Sequence, residues 1–268
     1  MNVLDRIVAE KREEVAGLQA WRAALRREAE AAGAGSGLAG ALRQSGEVAV
    51  LAEVKRRSPS AGWILEGADA AGVARVYESS GAAAVSVLTD EAWFGGSLDD
   101  VRSVKAAVEI PVLRKDFVLD PVQVWQARAA GADGLLLIVR ILDDVLLGDL
   151  LALGTSLGMD ALVEVHEEGE LERAMSAGAR VVGINSRDLT TFQTDLAVVE
   201  RMAAQVEEGV VLVGESGIGG PADVDRLGAV GVDAVLVGES LMRAPDMGQA
   251  LARLTGRARR SRPGDAAS

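Results

Sequence analysis

The chain has no cysteine, which excludes disulfides, thiol nucleophiles and thiolate metal sites. It has one histidine, His166, so His–His metal cages are excluded and a zinc hydrolase is disfavoured. Long apolar runs are also missing. The most apolar stretch, 134–154, is interrupted by Arg140, Asp143, Asp144 and Asp149, charges that a bilayer does not accept cheaply. The N-terminal MNVLDRIVAEKREEV is charged throughout and lacks the apolar region of a signal peptide. Positive charge is in deficit: 28 Lys+Arg face 40 Asp+Glu, a net −12. That balance argues against nucleic-acid or anionic-membrane partners, both of which need a basic surface. An anionic ligand would have to be held by a local positive pocket. The expectation is a cytoplasmic protein.

What is present is aliphatic: 49% hydrophobic residues but only 3% aromatic. Leu4, Ile7, Val8, Lys11, Val15 and Leu18 recur at three- and four-residue steps, one helical face, in a helix that could run towards Glu30. The Gly/Ala/Ser-rich AAGAGSGLAG (31–40) reads as a break. Eight short apolar runs follow, each ending in polar or Gly residues and leading into a helical pattern: VAVLAEVK (48–55), AAVSVLTD (83–90), IPVLRKDF (110–117), DGLLLIVR (133–140), DALVEVH (160–166), RVVGINSRD (180–188), GVVLVGESG (209–217) and VDAVLVGES (232–240). Their spacing of roughly 20–35 residues fits one strand–helix unit each, and crossovers of that length make the strands parallel. The phrases AGADG (130–134), AGARV (177–181) and VGVDA (230–234) place a helix-ending Gly just before a strand. Eight such units predict an α/β fold, a closed (β/α)8 TIM barrel over 47–257 after an N-terminal helical extension (1–46), with 258–268 as a disordered tail. A doubly wound open sheet is the alternative, although nothing signals its reversal of strand order.

Strand side chains alternate, so the inward set at the C-terminal ends of the runs is Glu53, Lys55, Lys115, Glu164, Asn185, Arg187 and Glu215. Single charges at strand ends are usually leaving the core for water. Six ionisable groups converging from five strands, each after an apolar run of matching parity, point instead to a site. GESGIGGPADV (214–224) and VGESLMRAP (237–245) put small residues before helix starts. Backbone N–H groups at Gly217, Gly238 and Glu239 could cradle a phosphate there, after strands 7 and 8. His166, beside Glu167 and Glu168, reads as a surface residue at a helix start. Trp63, Trp93 and Phe94 read as local loop packing that could also wall an aromatic ligand.

LAEVKRRSPSAG (51–62), SVLTDEAWFGGS (86–97), PVLRKDFVLDPVQV (111–124), ALVEVH (161–166), VGINSRDLTTF (182–192) and VLVGESGI (211–218) together resemble the indole-3-glycerol phosphate synthase family of tryptophan biosynthesis. LDRIVAEKREEV is similar to the helix that precedes the family's barrel, and the resemblance spans about residues 2–255. It implies a carboxy-lyase that needs no metal or cofactor. The implied reaction closes the ring of 1-(2-carboxyphenylamino)-1-deoxyribulose 5-phosphate, releases carbon dioxide and then water, and yields indole-3-glycerol phosphate. The resemblance implies Lys115 as general acid on the ketone oxygen and Glu164 as general base in the later proton removal. Lys55 would hold substrate anions and assist dehydration, while Glu53, Asn185 and Glu215 would orient the lysines and bind hydroxyls. Arg187 and Ser58 would place the carboxylate or phosphate end, and Ser216, Gly217, Gly238 and Glu239 would form the phosphate cradle. Pro59, Phe117, Leu136 and Leu189 would line the apolar side. Two positions depart from the family pattern. Glu239 stands where many relatives carry Ser, so its carboxylate must turn away, and Ala61 stands where Lys is frequent. Loop 56–62 is expected to close over the ligand.

The implied partner is the small phosphorylated, anthranilate-derived substrate alone, bound by a monomer, with association with other tryptophan-pathway enzymes left open. Competing readings of the same barrel are a Schiff-base lyase or aldolase with Lys115 as nucleophile, a phosphoribosyl isomerase, and a non-catalytic phosphate-binding scaffold.

Overall fold

The computed structural model describes residues 3–188 and 192–262. Eight parallel strands carry the apolar runs: β1 (Glu47–Val54), β2 (Ala84–Leu88), β3 (Val112–Lys115), β4 (Gly134–Ile138), β5 (Asp160–Val165), β6 (Val181–Asn185), β7 (Val211–Glu215) and β8 (Ala234–Val237). Each pairs with the next, and β8 pairs back onto β1 with Val50 opposite Val235. That last pairing closes the barrel and excludes the open sheet. The strand alternation divides the core. Val48, Val50, Ala52 and Val54 pack outward against the helices, whereas Ala49 and Leu51 point inward to meet Leu113, Leu136, Leu162 and Val213. Each such aliphatic side chain contributes about 1.5–3 kcal/mol on full burial. Helices α4 (Ala70–Ser79), α5 (Leu98–Lys105), α6 (Pro121–Ala129), α7 (Asp144–Ser156), α8 (Glu168–Ser176), α9 (Ala197–Ala203), α10 (Pro221–Gly228) and α11 (Met247–Ala252) follow the strands in turn. Gly131, Gly178 and Gly231 end α6, α8 and α10 at positive φ (92°, 81° and 83°), the geometry foreshadowed by the repeated phrase.

The N-terminal extension touches both ends of the barrel. It consists of α1 (Val3–Leu18), α2 (Arg22–Ala31) and a short α3 (Leu38–Leu42). The helix α3 lies partly inside the stretch expected to be a break. Its Leu38 and Leu42 are fully buried and plug the barrel's lower end among the inward residues. Asp160 Oδ2 accepts the Ala39 N–H (2.9 Å) and Asp133 Oδ1 accepts that of Ser36 (2.8 Å), which ties this end down. α1 lies across the opposite end. Its Lys11, on an otherwise apolar face, is 2% exposed and reaches Asp116 Oδ1 at 2.9 Å, Asp90 Oδ2 at 3.0 Å and Glu14 Oε2 at 2.6 Å. Asp116 also accepts from Arg114 (2.9 Å) and Thr89 (2.6 Å).

The expected disordered tail begins too early. Arg257–Ala258 form a strand, β9, antiparallel to the start of β1. Arg262 is buried, its Nη1 3.0 Å from the fully buried Asp233 Oδ2, and Arg259 reaches the other oxygen of Asp233 at 2.9 Å. The pull of a buried carboxylate keeps this basic segment against the barrel. Residues 263–268 of that expected tail lie outside the described residues. Among the described residues no helix is long and apolar enough to cross a membrane.

Candidate active site

The polar strand ends meet above the barrel's apolar layers. Lys115, from β3, has its Nζ 3.2 Å from Glu164 Oε2 on β5 and 3.4 Å from Glu215 Oε2 on β7. Asn185, from β6, donates Nδ2–H to Glu164 Oε1 at 3.1 Å. From β1, Glu53 Oε2 stands 3.8 Å from Lys55 Nζ, and that ammonium lies 5.9 Å from the centre of the Phe94 ring. Two glycines make the crowding tolerable. A Cβ on Gly183 would fall 2.0 Å from Glu215 Oε1, and one on Gly238 would fall 2.5 Å from Glu53 Oε2. The missing side chains are the space that two carboxylates occupy.

Burial would strip the proton from the Lys115 ammonium, but Glu164, Glu215 and Glu53 outweigh it and raise the pKa above the ordinary lysine range. Glu164 and Glu215 go opposite ways. Burial pushes Glu164 up, yet Lys115, His166 and the Asn185 bond bring it below the usual carboxylate range. For Glu215 burial dominates, opposed by Lys115 and reinforced by Glu164 and Glu53, and the carboxyl is pushed up to about 8. Pairs of like groups driven apart in this way divide acid and base roles.

The cluster forms the floor of a cleft of about 870 Å³ measured out to its open mouth, a volume usual for small-molecule sites. Ser58 and Pro59, Phe94, Phe117, Leu136 and Phe192 line it, and α1 roofs it with Val3, Leu4 and Ile7. Glu53, Lys55, Lys115, Glu164 and Asn185 line it as well.

A profile described as indole-3-glycerol phosphate synthase matches residues 4–254. The chain belongs to the indole-3-glycerol phosphate synthase family. The indole-3-glycerol phosphate synthase of Beutenbergia cavernae is 50% identical over 244 residues, 90% of each chain. Indole-3-glycerol phosphate synthase 1 of Streptomyces coelicolor is 49% identical over 92% of each. Among solved structures, a thiamine phosphate pyrophosphorylase from Pyrococcus furiosus superposes with a TM-score of 0.60 at 18% identity, over 81% of this chain and 95% of that one. At that identity the likeness is one of fold.

Other residues singled out in this indole-3-glycerol phosphate synthase-family chain are placed around the rim. Ser216, Gly217, Gly238 and Glu239 follow β7 and β8 and do not line the cleft itself. Ser216 and Gly217 both have positive φ (64° and 72°), and the Ser186 hydroxyl donates to the Ser216 carbonyl at 3.1 Å. The Glu239 carboxylate does turn away, pairing with Arg243 at 3.0 Å. The Arg187 guanidinium is held by the Phe192 carbonyl at 3.0 Å and lines a neighbouring polar cleft rather than the main one. Leu189 lies outside the described residues. Loop 56–62 is folded as a small ribbon, Arg57–Ser58 against Gly62–Trp63. At its base, Arg56 binds Asp100 through both terminal nitrogens (2.6 and 2.7 Å).

Of the three loop aromatics only Phe94 lines the cleft. Trp93 donates to Glu10 at 2.7 Å, and Trp63 stacks with Arg57 at 5.6 Å. His166 is not a surface residue: 6% of its side chain is exposed, with Nε2 3.4 Å from Glu164 Oε1. The neighbouring Glu167 and Glu168 suggested a solvent-facing position, but His166 lies two residues after Glu164, on the same face of the strand end, and its ring sits beside that carboxylate. The Lys11–Asp116 tie and the three α1 wall residues have no counterpart in the sequence-based site. Their only signal was a lysine on an apolar helical face.

Proposed function

We infer that the chain converts 1-(2-carboxyphenylamino)-1-deoxyribulose 5-phosphate into indole-3-glycerol phosphate in tryptophan biosynthesis, as a carboxy-lyase. The observation that carries the reading is the Lys115 ammonium facing the Glu164 carboxylate at 3.2 Å, on the floor of an apolar-walled cleft in a chain of this family. Lys115 gives a proton to the ketone oxygen as the aryl carbon bearing the carboxylate attacks the ketone carbon. The bond to the carboxylate then breaks, carbon dioxide leaves, and the electron pair restores the aromatic ring. The new hydroxyl departs as water with a proton from Lys55, while Glu164 removes a proton from the new ring. Phe94, Phe117, Pro59 and Leu136 flank the aromatic portion, and Lys55 with Ser58 takes the carboxylate.

The phosphate falls to the backbone N–H groups at Ser216, Gly217, Gly238 and Glu239, since the floor's lysines are already matched by carboxylates. Arg187 joins by exchanging the Phe192 carbonyl for a substrate anion. A cytoplasmic monomer fits the net charge of −12.

The Schiff-base reading needs a neutral Lys115 amine, which the flanking carboxylates oppose. Incubation of the purified protein with the carboxyphenylamino substrate tests the reading by the appearance of indole fluorescence. No fluorescence, or a borohydride-trapped adduct on Lys115, would reject it. In Glu164→Gln, single-turnover traces should show a ring-closed intermediate accumulating.

A further inference from the structure

Asp116 follows Lys115 directly, is 2% exposed, and has no step of its own in the reaction. Its carboxylate collects four donors. Oδ2 accepts from Arg114 Nη2 at 2.9 Å and from the Thr89 hydroxyl at 2.6 Å. Oδ1 accepts the Phe117 N–H at 2.8 Å and faces Lys11 Nζ at 2.9 Å. A carboxylate oxygen has room for two such bonds, so its capacity is filled. Two of the donors, Arg114 and the Phe117 N–H, come from either side of Lys115 on the same stretch of chain. Burial pushes the Asp116 carboxyl up, but Arg114 and Lys11 with the Thr89 hydroxyl bring it down to about 2, so all four donors face an anion.

Such a clamp matters because β3 runs out of sheet at Lys115. Towards β4 its pairing stops at Arg114, opposite Leu135. Towards β2, Lys115 still pairs with Leu88, and its carbonyl accepts the Thr89 N–H at 3.1 Å. Past that point side chains replace the ladder. Asp116 takes the Phe117 N–H, and Gln123 of α6 donates Nε2–H to the Phe117 carbonyl (2.9 Å) while its Oε1 accepts the Leu119 N–H (2.7 Å). Arg114 joins the two fastenings, since its Nη1 donates to the Gln123 carbonyl at 2.9 Å. A lysine carries its charge on a flexible four-carbon stem. Glu164 and Glu215 hold the far end of that stem, and the clamp around Asp116 holds the near end.

We propose that Asp116 is a positioning residue for Lys115: by gripping Arg114, Thr89 and the Phe117 N–H it fixes the main chain from which the ammonium is aimed at the ketone oxygen. This rests on the reading of Lys115 as the acid of ring closure. It gives Asp116 a task separate from anchoring α1. Lys11→Met is therefore the control, because it removes the donor from α1 and leaves the other three in place. In Asp116→Asn the amide offers its oxygen to one pair of donors and sets its NH2 against the other pair, so the grip on β3 loosens as well.

Steady-state and single-turnover kinetics on the full chain test the assignment. The kcat of Asp116→Asn should lie about 10- to 100-fold below that of Lys11→Met, the cost of a displaced catalytic group, while the two variants share a similar rise in KM. The loss should fall on ring closure, so substrate disappearance and indole appearance should slow together with no ring-closed intermediate building up. A kcat equal to that of Lys11→Met, or an accumulating intermediate, would overturn the proposal. Thr89→Val removes one hydroxyl and no charge, and decides the matter where Asp116→Asn does not fold. It should lower kcat about three- to tenfold with KM within about twofold, and an unchanged kcat would overturn the proposal equally. The parent chain separates the two readings. No indole from the parent would remove the enzymatic reading, whereas an active parent matched by its Asp116→Asn and Thr89→Val variants would remove the role of Asp116 alone.

Discussion

At the scale of single residues, the site works by dividing charge among groups that would otherwise be alike. Lys115 is charged because carboxylates face it from two other strands. Lys115→Ala should lower kcat by about two to four orders of magnitude with little change in the folded circular-dichroism spectrum, because Glu164 and Glu215 can take up a proton in place of the lost partner. Gly183→Ala should be nearly as damaging although it adds one methyl group to a residue with no side chain to take part in the chemistry. That methyl would sit 2.0 Å from Glu215 Oε1, so the carboxylate must leave the floor. A variant with wild-type kcat would show that Glu215 has no fixed place in turnover. Glu215 also sets a sign for stability against pH. Its carboxyl is raised to about 8 in the fold, so between the ordinary carboxyl range and that value the native state holds a proton that the unfolded chain has released. Stability falls as pH rises through that window. Glu215→Gln should therefore gain in Tm over the parent progressively from about pH 5 to about pH 8, and a constant difference would contradict the shift. Six of these floor and strand-end positions were legible because strand parity is a local rule. Lys55, Lys115 and Glu164 each follow an apolar run whose inward phase is unmistakable. His166 was misread because the adjacent Glu167 and Glu168 outweighed its shared face with Glu164. Arg187 lies two residues past the end of β6, where the Phe192 carbonyl rather than parity decides where the guanidinium goes.

At the scale of elements, α1 is part of the site rather than an appendage. Its Val3, Leu4 and Ile7 form a wall of the cleft, and Lys11 is the tie that keeps them there, through Asp116 next in the chain to Lys115. Burial disfavours the Lys11 ammonium, but Asp116 and Asp90 outweigh burial and raise its pKa. Removing one member of a buried pair costs about 3–5 kcal/mol because the other charge is stranded. Lys11→Met should lower Tm and raise KM for the substrate more than it lowers kcat, since the roof loosens while the floor of Lys115, Glu164 and Glu215 is untouched. A KM unchanged within error would mean that α1 stays docked by its apolar face alone. Sequence periodicity located this helix and even its buried face. It could not say that the one lysine on that face had a partner about a hundred residues away, because such pairing is a property of the closed barrel.

At the scale of the whole molecule, the chemistry sits at one pole of the barrel, while the extension is fastened at both poles and the C-terminal segment at the pole away from the site. The closed sheet followed from counting eight units, and the two-ended grip of the extension did not, because α3 is too short and too rich in Ala and Gly to register as an element. The C-terminal segment was missed similarly: RARRSR has the composition of a solvated tail, and only Asp233, buried at the start of β8, gives it a reason to fold back. Arg262 donates to the Asp233 carboxylate (3.0 Å) and to the carbonyl of Val210 (2.6 Å), and Arg259 adds a second contact to Asp233 at 2.9 Å. Gly231 leaves the room, since a Cβ there would lie 2.3 Å from Arg262 Cγ. A chain ending at Gly256 would lose β9 and both arginines and leave the buried Asp233 carboxylate with the Leu212 N–H at 2.8 Å and Arg43 4.0 Å away. Its unfolding free energy should drop by about 3–5 kcal/mol, read as a lower denaturant midpoint. Asp233→Asn in that shortened chain should recover part of the loss, because the stranded charge is then gone. Well below the new Tm, kcat and KM should stay within about twofold of the parent, since strands in this fold carry catalytic groups at one end and stability at the other. A large fall in kcat at low temperature would show that the strap reaches the site through the barrel wall.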